Sequence, residues 1–589
     1  MKKIRLNRFV PVHPINEHSV MIILAVIVGA LGGYGAVFFR WLIRFFQNIF
    51  FGMGEFEILD HLMGLPWYGR MIPPVIGGAI VGPIIFFLAK ETRGSGVPDV
   101  MQAVALRGGI IRKRVALMKS LASSICIGSG GSAGREGPII QIGSAIGSMV
   151  GQFAHLSEDK MKTLVGCGAA AGIAATFNAP IAGVMFTMEI ILGNYGIATF
   201  SPIVVSSVTA TVVSRVYLGS YPAFFIPQYT HVSSWEFLLY ILLGVIAGMV
   251  GVLYTTTLYK TEDLFGYLKI PEYAKATVGG VLVGIIGIFI PQTLGVGYDT
   301  VGLALFERLS WQMLLILVFI KIIATSITIG SRSSGGVIGP AIFIGAMTGG
   351  TFGYFAHSLF PAVTAPSGAY SLVGMGAVLA AATHGPLHAM LIIFEMTGNY
   401  KIIVPLMLAC TVGYAVASRL NKESIFTSKL VRKGIDIKAG REINIMKSLL
   451  VEDAMTTEVD TIAENMHLKE LLRLTFASRH TSFPVIDSKG MLSGIVTLHD
   501  FKDVIWEEGL GDLIVVKDIS VPEVITVTRG ESLNDALGKI GFRNIEQLPV
   551  VDEVNPRKII GILSRRDIFA AYNRAIIKRS MIKGIAKKE

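Results

Sequence analysis

Charge is what this sequence has least of. Of its 589 residues only 16% are Asp, Glu, Lys or Arg, against roughly a quarter in ordinary soluble chains. The deficit is uneven: Gly345 through Phe394 holds none of the four, whereas the chain beyond Asn444 has an ordinary soluble mixture. Hydrophobic residues make up 52%, and so many near-uncharged segments could not all be covered by one polar surface, which excludes a large soluble core. Cysteine is scarce as well. Cys126, Cys167 and Cys410 lie in apolar segments without disulfide or zinc spacing, so they read as small core residues. No metal cluster, phosphate-binding loop or nucleophile elbow is present, so nothing points to an enzyme. No aromatic-basic motif is present either, so the formal charge of +11 does not indicate a nucleic-acid partner. It fits a positive-inside bias and contact with anionic lipid heads.

What is present is a large apolar body followed by a smaller polar tail. A spanning helix needs about 20 apolar residues, and His18 to Phe51, Ser234 to Tyr259, Ala276 to Ile290, Trp311 to Ile329 and Ile402 to Val416 are candidates. The basic N-terminus, Met1 to Arg8, is not followed by a short apolar core with a small-residue cleavage site, so it does not read as a cleaved signal. Basic residues at both ends predict cytoplasmic N- and C-termini and an even number of crossings, in a plasma or bacterial inner membrane.

Glycine is abundant, with 66 residues, and it repeats. Gly128, Ser129, Ser132, Gly134, Gly137 and Pro138 match Gly330, Ser331, Ser334, Gly336, Gly339 and Pro340 at one constant offset. The match continues through Gly143/Gly345, Gly147/Gly349 and Gly151/Gly353. Downstream, Pro180 and Glu189 pair with Pro386 and Glu395 at nearly the same offset. Gly/Pro-interrupted segments in corresponding places of two halves point to a transporter binding site at the repeat interface. Glycine permits non-helical backbone and proline suits a first helical turn. Each run therefore reads as a loop that becomes a helix inside the membrane, aiming free N–H groups and a partial positive charge at whatever faces it. Several such ends together hold an anion. The Arg93–Asp99 loop adds Ser95, a hydroxyl donor. On its own it would read as an ordinary turn.

These residues resemble the CLC chloride channel and transporter family. Gly94-Ser-Gly-Val-Pro98, Gly134-Arg-Glu-Gly-Pro138 and Gly336-Val-Ile-Gly-Pro340 look like its three anion-binding loops, in its order, and Phe177-Asn-Ala-Pro180 and Phe394-Glu-Met-Thr397 fit as well. The resemblance implies a polytopic α-helical membrane protein, a homodimer with one pore per subunit, each built from two inverted repeats of broken, tilted helices. It implies chloride as the substrate, with protons as a second one if transport is coupled, and no required cofactor. Chloride would be held by Ser95, at the Gly96 turn, and by the N–H groups of Val337 and Ile338. A more external position, lined by the amides of Arg135 to Gly137, would take either an anion or the Glu136 carboxylate. Glu136 stands out physically too, since an intramembrane carboxylate marks a functional site by default. Ionised, it competes with chloride for the same donors; protonated, it leaves and the path opens. A structural pairing with Arg135 is the bland alternative.

The chain departs from the family pattern at three places. Exchangers commonly carry a second glutamate where this chain has Ile190, which cannot hold a proton. Ile190 leans channel-like, and the neighbouring Glu189 stands as a substitute or as a buried helix cap. Phe426 replaces an inner tyrosine whose hydroxyl contacts the central anion, and Ile338 replaces a phenylalanine. In the family, serine at the Ser95 position accompanies chloride. The lead reading is thus glutamate-gated chloride permeation, passive or weakly proton-coupled. A strict antiporter is the alternative, and a cation transporter ranks below both because these loops offer donors rather than carboxylates.

Residues 1–440 are assigned to the pore domain and 441–450 to a linker. Residues 451–510 and 515–577 form two α/β half-units, and 578–589 a basic tail. The half-units resemble a tandem pair of CBS domains, in which Thr497, Asp500, Ser564 and Asp567 occupy nucleotide-binding positions for ATP, ADP or AMP. The same aspartates serve equally as helix N-caps beside an empty cleft, and both readings stand.

Overall fold

The computed structural model describes residues 17–52, 58–224, 226–227, 229, 232–435, 446, 449–477, 482–497, 500, 513–542 and 545–585, without the side chains of 17, 58, 476–477, 542 and 576–585. The basic N-terminus, most of the 441–450 linker, the close of the first half-unit and residues 586–589 therefore lie outside the described residues. The chain divides into two compact units, Met1–Gly434 and Ile435–Glu589.

The first unit is helical. Among the described residues seven helices are long and apolar enough to cross a membrane: His18–Phe51, Trp67–Leu88, Ile197–Leu218, Glu236–Tyr267, Glu272–Phe289, Trp311–Gly330 and Tyr400–Leu420. Between them pack helices that face protein on most sides. In Ser367–Thr383 every residue from Gly368 onward is buried, as expected of a helix apolar all round. Glycines let these helices touch. A Cβ at Gly143 would land on the carbonyl of Gly168, and one at Gly345 on that of Gly374, the small-residue packing that replaces hydrophobic drive in lipid.

The repeat seen in the sequence governs the side-chain contacts. The Ser123 hydroxyl bonds that of Ser334 at 2.8 Å, and their repeat mates Thr325 and Ser132 bond at 3.2 Å. The Glu189 carboxylate accepts from the N–H groups of Leu387 and His388, while its mate Glu395 accepts from those of Ile181 and Ala182. Each pair crosses from one half to the other and is answered by the reciprocal pair, as a two-fold relation between the halves requires.

The second unit holds two small sheets of one plan. Strand β1 (Ile462–Ala463) runs parallel to β2 (Ser482–Ile486), which pairs antiparallel with β3 (Leu492–Thr497). Strands β4 (Val527–Thr528), β5 (Gln547–Val551) and β6 (Ile559–Ser564) repeat this order. The packing does not follow chain order. Val451 and Ala454, which open the first half-unit in sequence, are buried with Val527, Leu533 and Leu563 of the second. Val516 in turn is buried with Ile462, Phe483 and Val496 of the first. Each half-unit thus seats its opening turn in the other's core.

Candidate anion site and its gate

The site is made where helices begin inside the fold. Helix Val97–Leu106 starts at Gly96, helix Glu136–Phe153 at Arg135 and helix Ile338–Leu359 at Val337. Gly96 stands at φ 84°, a left-handed conformation that a β-carbon disfavours. Irregular backbone at membrane depth must find its partners within the protein, and here the loops bond one another. The Gly94 N–H donates to Ser333 O at 2.9 Å, and the Gly134 and Gly336 N–H groups donate to each other's carbonyls at 2.9 and 2.6 Å. Two lysines with fully buried side chains complete the tie. Lys119 Nζ donates to the carbonyls of Thr92 and Gly94 at 2.9 and 2.6 Å. Its repeat mate Lys321 donates to those of Thr293 and Gly295, both at 3.0 Å.

Glu136 is fully buried. Its Oε1 accepts from the Tyr298 hydroxyl at 2.6 Å, and its Oε2 accepts from the Gly339 N–H at 3.0 Å. The side chain thus turns away from its own helix and lies at the N-terminus of helix Ile338–Leu359. The donors differ from those the sequence indicates for this position: the amide and the hydroxyl that seat the carboxylate come from Gly339 and Tyr298, not from Arg135–Gly137. Arg135 instead lays its guanidinium over the Tyr298 ring, 5.5 Å from the centroid. Desolvating a carboxylate costs several kcal/mol. Two hydrogen bonds to it return about 1.5–3 kcal/mol each, and a helix N-terminus up to about 2 kcal/mol. The opposing contributions are of similar size, which is the condition for a seat that a proton or a competing anion can empty.

Cavities lie against the neighbours of this seat. On the Arg135 side a cavity of about 250 Å³ is lined by Arg40, Arg44, Arg135 and Tyr298. On the other side Ser95, Val337, Ile425 and Lys429 line a space of about 20 Å³. It shares Arg93, Tyr259, Glu262 and Lys429 with a vestibule of about 530 Å³. That vestibule presents the six cations Lys90, Arg93, Arg332, Lys429, Arg432 and Lys433 against the three carboxylates Asp99, Glu262 and Asp263. Clefts of one prevailing sign concentrate the opposite ion, here an anion.

The remaining residues singled out in the sequence fall in four places. Ser95, Gly137 and Gly336 converge, since a Cβ on Gly137 would meet Ser95 O and Gly336 Cα. Val337 and Ile338 are buried at the start of their helix, Val337 O accepting from the Tyr254 hydroxyl at 3.2 Å. Phe426 is fully buried with its ring 6.3 Å from that of Phe186. Glu189 and Ile190 lie apart from Glu136, in a π-helical turn spanning Thr187–Leu192. Glu189 caps helix Pro386–Thr397, the bland alternative read for it in the sequence.

In the second unit the hydroxyls of Thr497 and Ser564 donate to Asp500 and Asp567 at 2.7 and 2.5 Å; the Ser564 N–H also donates to Asp567 Oδ2 at 3.0 Å, and the Asp567 N–H returns a bond to Ser564 Oγ at 3.1 Å. That reciprocal pair is a capping box, in which Ser564 is the cap and Asp567 closes it.

Sequence reasoning passed over Tyr298, Lys119 and Lys321. All three carried a signal. The lysines sit one repeat apart in apolar segments. Gly295-Val-Gly297 before Tyr298 repeats Gly94-Ser-Gly96, and Gly297 likewise stands at φ 84°.

Comparison with known proteins agrees with this architecture. The family model described as voltage gated chloride channel matches residues 77–418, and the CBS domain model matches 451–507 and 516–574. A ClcB-like protein of Ralstonia nicotianae, named for a chloride channel, is 36% identical over 420 residues, covering 71% of this chain and 98% of the relative. The H(+)/Cl(-) exchange transporter ClcA of Salmonella arizonae is 29% identical, covering 70% of this chain and 88% of the relative. Among solved structures, a slow cyanobacterial Cl-/H+ antiporter superposes with TM-score 0.63 at 27% identity, over 70% of this chain and 97% of that one. A eukaryotic CLC transporter superposes with TM-score 0.60 at 21% identity, over 93% and 99%.

Proposed function

This chain belongs to the CLC voltage-gated chloride channel family, and we propose that it passes chloride along a path gated by Glu136, either passively or with weak proton coupling. The observation that carries this reading is the seat of Glu136. A fully buried carboxylate occupies the N-terminus of helix Ile338–Leu359 between two cation-lined cavities, where a chloride ion would find the same donors. Ionised, it blocks; protonated, it leaves the Tyr298 hydroxyl and the Gly339 N–H to the anion. Ser95, at the Gly96 turn, and the N–H groups of Val337 and Ile338 would hold the anion further along, with Arg135 and Gly137 framing the outer position and Phe426 the inner end.

A strict chloride/proton antiporter is the second reading, favoured by relatives named as exchangers and opposed by Ile190. The deciding measurement is chloride efflux from liposomes of purified protein, with internal pH recorded in the same vesicles. Uphill proton movement driven by a chloride gradient establishes coupling; efflux without it establishes a channel. Either way Glu136→Gln should leave flux open and remove its dependence on the pH of the Arg135 side, and an unchanged profile on that side would overturn the gate.

The same reading extends to a homodimer, to cytoplasmic termini in a plasma or bacterial inner membrane, and to an adenine nucleotide at Thr497, Asp500, Ser564 and Asp567. For the last, the support is a strand in each half-unit that ends in Thr or Ser, whose hydroxyl donates to the Asp three residues on. Failure of ATP, ADP and AMP to raise the melting temperature would count against it.

A further inference from the structure

Helix Pro386–Thr397 begins beside a group that its repeat mate lacks. Glu189 and Glu395 cap each other's helices through two backbone N–H groups apiece. Where the Glu395 cap meets Ala182, the Glu189 cap meets His388, whose Nδ1 lies 3.0 Å from Glu189 Oε2. The cap at Glu395 is made without a histidine, so the imidazole is an addition to it rather than a requirement of it.

The pair is placed to share a proton. The Thr383 hydroxyl donates to Leu379 O at 2.7 Å, which uses its only hydrogen, so toward His388 Nε2, 3.3 Å away, it is an acceptor. Glu189 accepts two backbone N–H bonds, and a hydrogen bond to Nδ1 needs a proton on the imidazole or on the carboxyl. The surroundings thus offer an acceptor to each ring nitrogen, so a proton taken up by the pair finds partners on both sides. The His388 side chain is 1% exposed and that of Glu189 11%, so the proton is shielded without being sealed off.

The location is specific. A Cβ on Gly385 would touch both the imidazole and Ile190 Cδ1, so His388 borders the side chain of Ile190. The imidazole also meets the Phe186 ring edge-on at 5.2 Å, and Phe186 is the ring that packs on Phe426. Phe186 therefore partitions this pair from the inner end of the anion path. The other titratable groups close to the pair are Cys410, from helix Ile403–Leu420, and Tyr195, both within electrostatic reach of Glu189.

We propose that His388 and Glu189 form a proton-binding dyad on the Phe426 side of the path, which loads and releases one proton where Ile190 cannot. This rests on the reading of the chain as a proton-sensitive chloride carrier. The test uses the full chain in liposomes, with chloride and internal pH followed together, for the wild type, His388→Asn and Glu189→Gln. Asparagine can still donate to the carboxylate but cannot titrate. The expected result is proton movement reduced at least tenfold in H388N while chloride efflux persists; proton movement equal to wild type overturns the dyad. If the wild type moves chloride without protons, coupled transport fails as a reading, and the dyad is then read in Glu136→Gln, where the outer gate no longer titrates. Residual dependence of chloride efflux on the pH of the Phe426 side must then be present and must vanish on adding H388N; its absence, or its survival in the double variant, overturns the proposal. If H388N does not purify, E189Q gives the same readout.

Discussion

Three positions test the Glu136 seat and the inner end of the path proposed for chloride. Tyr298 supplies one of the two bonds to its carboxylate, and a bond to a charged group is worth about 1.5–3 kcal/mol. Tyr298→Phe should therefore weaken the hold on the carboxylate by roughly tenfold or more, read as higher efflux at neutral pH. Unchanged efflux would mean that the hydroxyl does not hold the gate. Gly134 acts by having no side chain, because a Cβ there would overlap the Glu136 carboxylate. Gly134→Ala should expel the carboxylate and reproduce the open flux of the Glu136 variants, without dependence on the pH of the Arg135 side; a closed path would argue that the loop yields instead. Phe426 contributes no hydroxyl at the inner end. Phe426→Tyr should tighten chloride binding by about tenfold, one charge-assisted bond, measured calorimetrically. No change would show that the ring does not face the anion.

Among the elements, the short re-entrant loops depend on partners far away in sequence. Lys321 holds the carbonyls of Thr293 and Gly295 just ahead of the helix that begins at Tyr298. Lys321→Met keeps the apolar stem but leaves two buried carbonyls without this donor, at about 1–3 kcal/mol each. The expected outcome is a lower melting temperature together with a leakier gate, because Tyr298 loses its anchored approach. A drop in stability with pH gating intact would confine the lysine to holding the fold. The repeat made this tie readable in principle, since Lys119 and Lys321 are mates. An isolated lysine in an apolar segment gives no hint of which carbonyls it will meet. That pairing exists only once helices from both halves are packed.

The whole molecule combines two units with different physics. In the membrane unit many large apolar side chains are exposed on the spanning helices while serines, threonines, lysines and glutamates are buried between them, so partner choice is decided by helix packing. In the second unit apolar cores decide it, and they exchange their opening turns. Val451, fully buried in the second core, makes this testable. Val451→Ala removes apolar contact worth about 2 kcal/mol, and should speed amide exchange over β4 to β6 while sparing β1 to β3. The reverse pattern would contradict the exchanged packing.

Composition, the glycine repeat and the loops around Ser95, Glu136 and Val337 were sufficient to identify a helical membrane protein of two related halves, and they place the proposed anion site at the junction of those halves. Those features are local: glycine and proline break helices wherever they stand, and a helix N-terminus attracts anions whatever surrounds it. The doubled β/α plan of the tail was legible for the same reason. The tertiary structure alone decided the partners across the junction: Tyr298 and Gly339 for Glu136, His388 for Glu189, and the second core for Val451. Hydrogen-bond partners and core neighbours are set by which distant elements pack together, and a linear pattern does not encode that choice until the two halves close on each other.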